Sequence, residues 1–224
     1  MLDRRAALRI VPVLALAAGC GHPEQSVVGQ YFNAANAKDE QTLSSFAVVG
    51  FDQKVDDWSI TESRPEARVP APLPELIKKV KDVEAQIAEN KKAYSAYFND
   101  HPVEVDEVRE LLKKPDAKIP ARLQKHAEQW QGFTQKEKDL KKAQAEAKGA
   151  TDREKKTEAL SVGEVSDLES LTGEMVTKVL GLRLTIDGQQ KPYVMTLIKY
   201  QLQPSSTGQR LMSRWVVHSV KPGA

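Results

Sequence analysis

The hydrophobic pattern has a helical period in the middle of the chain and a strand period on either side. From residue 76 to residue 97, apolar positions advance by alternating steps of four and three, which makes a heptad seam of about three repeats. The seam consists of Leu76, Val80, Val83, Ile87, Asn90, Tyr94 and Tyr97. It predicts one long helix that ends at His101-Pro102, because proline lacks a backbone donor and clashes with the preceding turn.

Two more helices are predicted after this one. Apolar residues at 105, 108, 111 and 112 indicate a short helix that Pro115 ends, and Pro120 is placed to open a second long helix. The sparser stripe of that helix consists of Leu123, Ala127, Trp130, Phe133, Leu140 and Ala147. Gly149 is expected to break it, and Thr151 with Glu154 forms a capping box for a further short helix. The two long helices would pair into an antiparallel arm about 40 Å long.

Alternation with a period of two predicts strands near the C-terminus. The predicted strands cover residues 165–171, 175–186, 193–203 and 211–220. Turn residues at Thr172-Gly173 and Asp187-Gly188 join them into a four-strand meander.

The N-terminal part carries two short helices and one strand. Ser26 and Asp39 are suited to cap the helices, and a strand is predicted around Trp58. Residues 63–74 contain four prolines and are predicted to be an extended connector outside the sheet.

The first twenty residues have the order of parts of an export signal. Arg4, Arg5 and Arg9 precede an apolar run at 10–18, which is too short to span a bilayer because a spanning helix needs about 20 apolar residues. The run closes in Leu16-Ala17-Ala18-Gly19-Cys20. This segment resembles the lipobox of bacterial lipoproteins, although leucine is commoner where Ala17 stands. The resemblance implies removal of a signal peptide at 1–19 and attachment of lipid, such as diacylglycerol and palmitate, to Cys20.

Several alternatives stay open around this signal. Arg4-Arg5 also resembles a twin-arginine signal, so the export route is not decided. Gly21 resembles the residue found there in outer-membrane lipoproteins, which implies a lipid-anchored protein that faces the periplasm or the cell surface. Residues 20–25 would then be a lipidated tether. The alternative to lipidation is a buried free cysteine at the end of a core helix.

Charge separates the middle of the chain from its flanks. Residues 74–160 hold 19 basic and 17 acidic residues in 87 positions, about 41% charged, against about 20% in the rest of the chain after residue 19. Residues 1–19 carry three Arg and one Asp, so 30 basic and 30 acidic residues remain without them. A neutral mature chain gives no reason to expect nucleic acid as a partner, because such partners need uncompensated Lys and Arg.

Two segments resemble parts of NTF2-like domains, which are also called cystatin-like rolls. Residues 31–39 resemble the first helices of these domains, and residues 214–220 resemble their closing strand with its tryptophan. The resemblance implies an α+β fold in which an N-terminal helix packs on a curved antiparallel sheet. The expected roll is discontinuous, with 26–73 and 161–224 on either side of an inserted helical hairpin or coiled-coil arm at 74–160.

The sequence contains no recognisable catalytic or metal-binding pattern. Its four histidines are scattered, it has no phosphate loop or nucleophile elbow, and a lipidated Cys20 leaves no thiol. We therefore expect no cofactor and no metal, and the sequence does not indicate an enzyme. The alternative is an NTF2-like small-molecule enzyme or carrier that uses the cavity of the roll. Its candidate residues are Asp57, Tyr200, Arg214 and His218.

The arm is the expected working surface of a membrane-anchored binding or scaffolding protein. Its second helix is too sparse to cover the apolar side chains of the other two, and exposed apolar patches mark interaction sites. Such a patch would bind an envelope protein, serve self-association or grip unfolded clients. The alternative is a self-contained three-helix bundle. The candidate surface consists of Tyr94, Tyr97, Phe98, Val105, Val108, Leu111, Leu112 and Trp130.

Overall fold

The computed structural model describes residues 23–114, 117–204 and 210–223, and in these ranges the chain adopts an α+β fold. The helices there are α1 (Pro23–Ala37), α2 (Glu40–Phe46), α3 (Leu73–Asp100), α4 (Pro102–Leu112) and α5 (Gln124–Val162). The strands there are β1 (Asp57–Ser63), β2 (Ala67–Pro70), β3 (Leu171–Ile186), β4 (Gln189–Pro204) and β5 (Val216–Pro222). Helices α3, α4 and α5 lie between β2 and β3 in the sequence and are called the arm below. The predicted lipidation site Cys20 and the predicted helix end at Pro115 lie outside the described residues.

The strands form one antiparallel sheet around a long hairpin. Strands β3 and β4 pair over their full length, from Leu171 opposite Pro204 to Ile186 opposite Gln189. Strands β1 and β2 follow one another along the free edge of β3, and β5 pairs with β4. The hairpin predicted at Asp187-Gly188 is confirmed, with φ values of 52° and 71° at these residues, as a type I′ turn requires.

The prediction of a turn before this hairpin is wrong. Strand β3 runs without a break from Leu171 to Ile186, and residues 165–170 form a loop and a 3-10 turn, so the separate strand predicted at 165–171 does not form. Gly173 lies inside β3, where a Cβ would collide with the carbonyl oxygen of Gln201 on β4. The glycine therefore serves a close approach of two backbones and does not mark a turn. The connector predicted at 63–74 is also partly wrong, because it contains the short edge strand β2.

The two N-terminal helices follow the sequence prediction with one difference. Helix α1 begins at Pro23, three residues before the predicted cap Ser26, so part of the expected tether is helical. Asp39 caps α2 as predicted, because its Oδ1 accepts a hydrogen bond from the amide of Thr42 at 2.9 Å. Both helices pack on the same face of the sheet, because their apolar side chains belong to one buried cluster.

Helices cover both faces of the sheet. One face packs against α1 and α2 in a cluster that includes Val28, Tyr31, Phe32, Phe46, Leu180, Leu182, Leu184, Met195 and Leu197. The other face packs against the end of α5 in a cluster that includes Ala71, Leu171, Ile198, Tyr200, Leu202 and Val216. The buried neighbours Leu197 and Ile198 belong to different clusters because successive strand residues point to opposite faces. Each fully buried large side chain stabilises the fold by about 1.5–3 kcal/mol.

The arm is an antiparallel helix pair with α4 packed beside it. The heptad seam predicts α3 correctly, and its end at Asp100 agrees with the predicted stop at His101-Pro102. Glu84 of α3 contacts Lys148 of α5 at 2.9 Å, whereas Tyr97 contacts His126 at 2.8 Å. From the first contact to the second, the residue number rises along α3 and falls along α5. The two helices are therefore antiparallel, and the contacts define their register.

Helix α5 is longer than predicted. It begins at Gln124 after a 3-10 turn at Ala121–Leu123, and its 39 residues pass through Gly149 without a break. At 1.5 Å per residue the helix is about 58 Å long. Thr151 lies buried inside it and donates a hydrogen bond to the carbonyl oxygen of Ala147 at 2.9 Å, so it does not cap a new helix. A glycine inside a helix costs about 1 kcal/mol, which the packing of α5 against α3 and β4 outweighs.

In the ranges that the structure describes, no helix has both the length and the apolar content needed to cross a membrane.

Candidate binding cleft

The aromatic residues of the arm form a continuous wall. The ring of Tyr94 on α3 lies 5.4 Å from that of Trp130 and 5.9 Å from that of Phe133, both on α5, in edge-to-face geometry. The ring of Phe98 continues the wall at 6.2 Å from Tyr94. Arg109 of α4 lies 5.3 Å from the ring centroid of Trp130. Aromatic contacts of this kind stabilise by about 0.5–1.5 kcal/mol each beyond the area they bury, so the wall is a fixed part of the arm.

A cleft of about 300 Å³ opens beside this wall, between α3 and α5. Its apolar lining consists of Ile87, Tyr94, Trp130, Phe133 and Leu140. Its polar lining consists of Asn90, Lys91, Thr134 and Glu137. The gap has a local cause, because α3 continues its heptad seam through this level while α5 presents Thr134 and Glu137, which cannot fill the seam.

A buried amide of α3 connects the two helices at the cleft. Asn90 occupies a seam position of α3 and is buried. Its Nδ2 donates a hydrogen bond to the backbone carbonyl oxygen of Phe133 at 3.3 Å. A polar residue at a seam position fixes the register of paired helices at some cost in stability. Asn90 therefore holds the two helices at the spacing that leaves the cleft open.

The charged groups at the cleft differ in their partners. Glu137 forms an ion pair with Lys141 of the next helical turn, with 2.7 Å between Oε1 and Nζ. Lys91 is exposed and has no ion-pair partner within the described ranges. The negative charge at the cleft is thus neutralised, whereas the positive charge is available to a ligand.

Six of the eight residues predicted for the interaction surface are at least partly exposed. Tyr94 and Trp130 line the cleft, and Leu112 is 39% exposed at the end of α4. Tyr97, Phe98 and Leu111 are half-buried near the tip of the arm.

Two residues of that set are interior. Val105 and Val108 are 0% exposed, and Val108 packs with Leu123 and Ala127 at the start of α5. As a correction to the prediction, Val108 packs α4 against α5, Val105 is also fully buried, and neither contributes to an exposed surface. Residues 105 and 108 are three positions apart and therefore lie on the same face of α4. This face packs into the interior.

Sequence reasoning missed several residues of the cleft. Ile87, Asn90 and Leu140 belong to the predicted apolar stripes, but only the register between α3 and α5 places them around a gap. The cleft has one visible sign in the sequence. Thr134 and Glu137 interrupt the apolar stripe of α5 between Phe133 and Leu140.

A second unusual cluster lies where α5 meets the sheet. The hydroxyl of Tyr200 on β4 donates a hydrogen bond to Oε1 of Glu154 at 2.5 Å. Glu158, one turn along α5, is 1% exposed, and its Oε1 has no hydrogen-bond partner among the described residues. Burial and the neighbouring charge of Glu154 raise the pKa of Glu158 from 4.5 to about 8, so its carboxyl is neutral at pH 7. Burial and the same hydrogen bond raise the pKa of Tyr200.

Hydrogen bonds surround this cluster and tie α5 to the sheet. Ser161 Oγ donates to the carbonyl oxygen of Arg214 at 2.9 Å and accepts from the amide of Tyr200 at 3.0 Å. The guanidinium of Arg214 donates to the carbonyl oxygens of Leu160 and Ser45, each at 2.8 Å. The junction is therefore a structural joint between α5, α2 and the sheet.

The residues considered for catalysis are not brought together. Asp57 is exposed on β1 at one edge of the sheet, and His218 is exposed on β5 at the other edge. Two strands separate them, which is about 14 Å at 4.8 Å per strand. Tyr200 and Arg214 belong to the joint with α5. Within the described part of the chain, His, Cys, Asp and Glu form no group of three or more that could hold a metal ion.

Comparison of the chain with family models, with curated proteins and with solved structures found no match.

Proposed function

We propose that this chain is a lipoprotein of the bacterial envelope that is anchored through a lipid on Cys20 and binds its target through the arm. The proposal joins the lipobox-like segment Leu16-Ala17-Ala18-Gly19-Cys20 to the cleft between α3 and α5. The anchor keeps the protein at a membrane surface, and the arm is the part that meets other molecules.

The proposed fold is an NTF2-like roll with an inserted helical arm. Support comes from the order of elements, because β2 and β3 pair with each other although the whole arm lies between them in the sequence. An insertion between neighbouring strands leaves and returns at adjacent points, so the sheet and α1 can keep their own core.

The cleft is the main structural support for the proposed function. On the sheet, the space under α1 is filled by Tyr31, Phe32, Leu182 and other fully buried side chains. Along the arm, aromatic and aliphatic side chains border a gap of about 300 Å³. Small-molecule sites are mostly apolar clefts with a few polar groups, and this description fits the arm better than the filled layer expected to hold the cavity of an enzyme or carrier.

The anchor is tested by the distribution of the protein between membrane and soluble fractions. Wild type should pellet with membranes, because several acyl chains together make release negligible. The variant Cys20→Ser should appear in the soluble fraction. A Cys20→Ser protein that still pellets after a high-salt wash would rule out the lipid anchor.

The arm is tested by crosslinking from two matched positions in intact cells. Lys138→Cys places a thiol beside the cleft, and Gln190→Cys places one next to the hairpin turn of the sheet; both residues are exposed. With Cys20 lipidated, each new cysteine is the single free thiol and can carry a photo-crosslinker. We expect adducts from position 138 and not from position 190, with an adduct of two copies if the arm self-associates. Equal adducts from both positions would contradict the proposal.

A further inference from the structure

We propose that the cleft of the arm binds a small apolar organic anion, whose ring system or short chain lies against Tyr94, Trp130 and Phe133 and whose anionic group meets Lys91. This inference rests on the proposed function in taking the arm as the binding part, and it adds the chemical class of the ligand.

The gap is a maintained feature of the arm. On one side of it, Glu84 Oε1 contacts Lys148 Nζ at 2.9 Å and accepts a hydrogen bond from Gln144 at 3.1 Å. On the other side, the hydroxyl of Tyr97 lies 2.8 Å from Nδ1 of His126. With the register fixed at both ends, and Asn90 bonded to α5 between them, the helices cannot close the gap by sliding. Its apolar lining stays open to water until a ligand covers it, which favours binding in proportion to the area buried.

The arrangement of the rings selects an apolar body over an organic cation. Cation-binding cages need aromatic faces on several sides of an empty centre. Here Tyr94 touches Trp130 and Phe133 edge-to-face, at interplanar angles of 64° and 70°, so the rings fill the space between themselves and form a single wall. A flat ring or an acyl segment can lie along such a wall, opposite Ile87 and Leu140.

The charges at the cleft favour an anionic group on that body. Lys91 lines the cleft and has no ion-pair partner in the described ranges, whereas Glu137 is neutralised by Lys141. Lys138, the next residue along α5, is also exposed without an ion pair in those ranges. A ligand with an anion at the mouth of the cleft is attracted by these lysines, and one with a cation is repelled.

The size of the cleft limits the ligand. A volume of about 300 Å³ lies at the lower end of small-molecule sites. It accepts a two- or three-ring body or a short acyl chain and leaves no room for a folded partner.

The test uses two fluorescent probes that differ by one sulfonate group: anilinonaphthalene sulfonate (ANS), which is an anion, and its uncharged parent, N-phenylnaphthylamine. The protein is the full-length chain with Cys20→Ser, so that any contribution of the N-terminal segment is common to every variant. Thr134→Leu narrows the cleft with a larger apolar side chain, Lys91→Gln removes its charge, and Lys92→Gln is the matched control, because Lys92 is exposed and does not line the cleft.

We expect Thr134→Leu to weaken both probes about tenfold, since the larger side chain then takes part of the space where the ring system lies. Lys91→Gln should weaken ANS by about threefold, as expected for one exposed charge pair, and leave the uncharged probe unchanged. Lys92→Gln should bind both probes as the parent does. Unchanged binding of both probes to Thr134→Leu would overturn the site. A Lys91→Gln variant with an unchanged ratio of the two affinities would overturn the anionic class. Neither result depends on the crosslinking test, which alone decides whether the arm meets its target in the cell.

Discussion

The sheet and the arm use similar apolar side chains but pack them differently. In the sheet, each buried residue of β3 has a partner directly opposite on β4, as Leu182 has Tyr193, and a helix covers each face. In the arm, the seam of α3 meets a helix that lacks large apolar side chains at positions 134 and 137, so Ile87 and Tyr94 stay half-buried beside a gap. The apolar side chains of the sheet are therefore buried and stabilise the fold, whereas part of the apolar surface of the arm stays open to a ligand.

The largest expected contrast comes from cutting back one side chain in each region. Leu182→Ala in the sheet should lower the free energy of unfolding by about 2–5 kcal/mol, because Leu182 is fully buried and its truncation leaves a cavity. Ile87→Ala in the arm should cost less than about 1 kcal/mol, because this side chain already borders open space. Urea denaturation followed by circular dichroism measures both values. Equal losses would mean that the cleft is closed in solution.

The joint between the regions predicts a pH dependence of stability. The pKa of Glu158 is raised from 4.5 to about 8 in the folded chain, so the folded state holds this proton more tightly than the unfolded state does. The stabilisation is fully present below pH 4.5 and is lost as the pH rises to about 8. The loss should reach about 3–5 kcal/mol above pH 8, when the carboxylate must ionise beside Glu154 and Tyr200.

Glu158→Gln isolates this effect from other titrating groups, because it retains the shape of the side chain without the charge. The variant and the parent should differ little near pH 4.5, and the variant should become the more stable protein as the pH rises. The free energy of unfolding measured from pH 4.5 to 9 checks this. Parallel curves for the two proteins would show that Glu158 ionises normally and is accessible to water.

The smallest expected effect has the opposite sign to the first. Thr134→Leu should stabilise the arm by about 1 kcal/mol, because it buries new apolar surface in the gap and leucine is the better helix former. Thr134→Ala is the matched control, since it improves helix propensity without filling the cleft. A melting temperature higher for Thr134→Leu than for Thr134→Ala reports the filling alone. A lower one would show that the cleft is too tight for leucine.

Local signals in the sequence predict those parts of the fold that local chemistry decides. The heptad seam predicts α3, Asp39 predicts the cap of α2, and Asp187-Gly188 predicts the hairpin. The two glycine predictions fail for opposite reasons. Gly173 lies in β3 because the backbone of Gln201 passes too close for a side chain, and Gly149 lies inside α5 because packing against α3 and β4 holds the helix together. Both causes come from residues far away in the sequence.

The functional features depend on such distant contacts to a greater degree. Glu154 and Glu158 lie in a strongly charged stretch and look like an exposed helical face until Tyr200, on a strand after the arm, covers them. The interruption at Thr134 and Glu137 is visible in the α5 stripe, but it becomes a cleft only opposite Ile87 and Tyr94. Val105 and Val108 show the same limit, because spacing defines a helical face and only packing decides whether that face turns outward.

Mapping where ANS binds would show whether the binding site is the aromatic cleft of the arm or lies at the sheet and α1. Backbone amide shifts of the full-length Cys20→Ser chain would be followed by nuclear magnetic resonance as ANS is added. We expect shifts concentrated at residues 87–94 and 130–140, on the two sides of the cleft, with β3, β4 and α1 unchanged. Shifts concentrated in the sheet and α1, with those two segments unmoved, would contradict it.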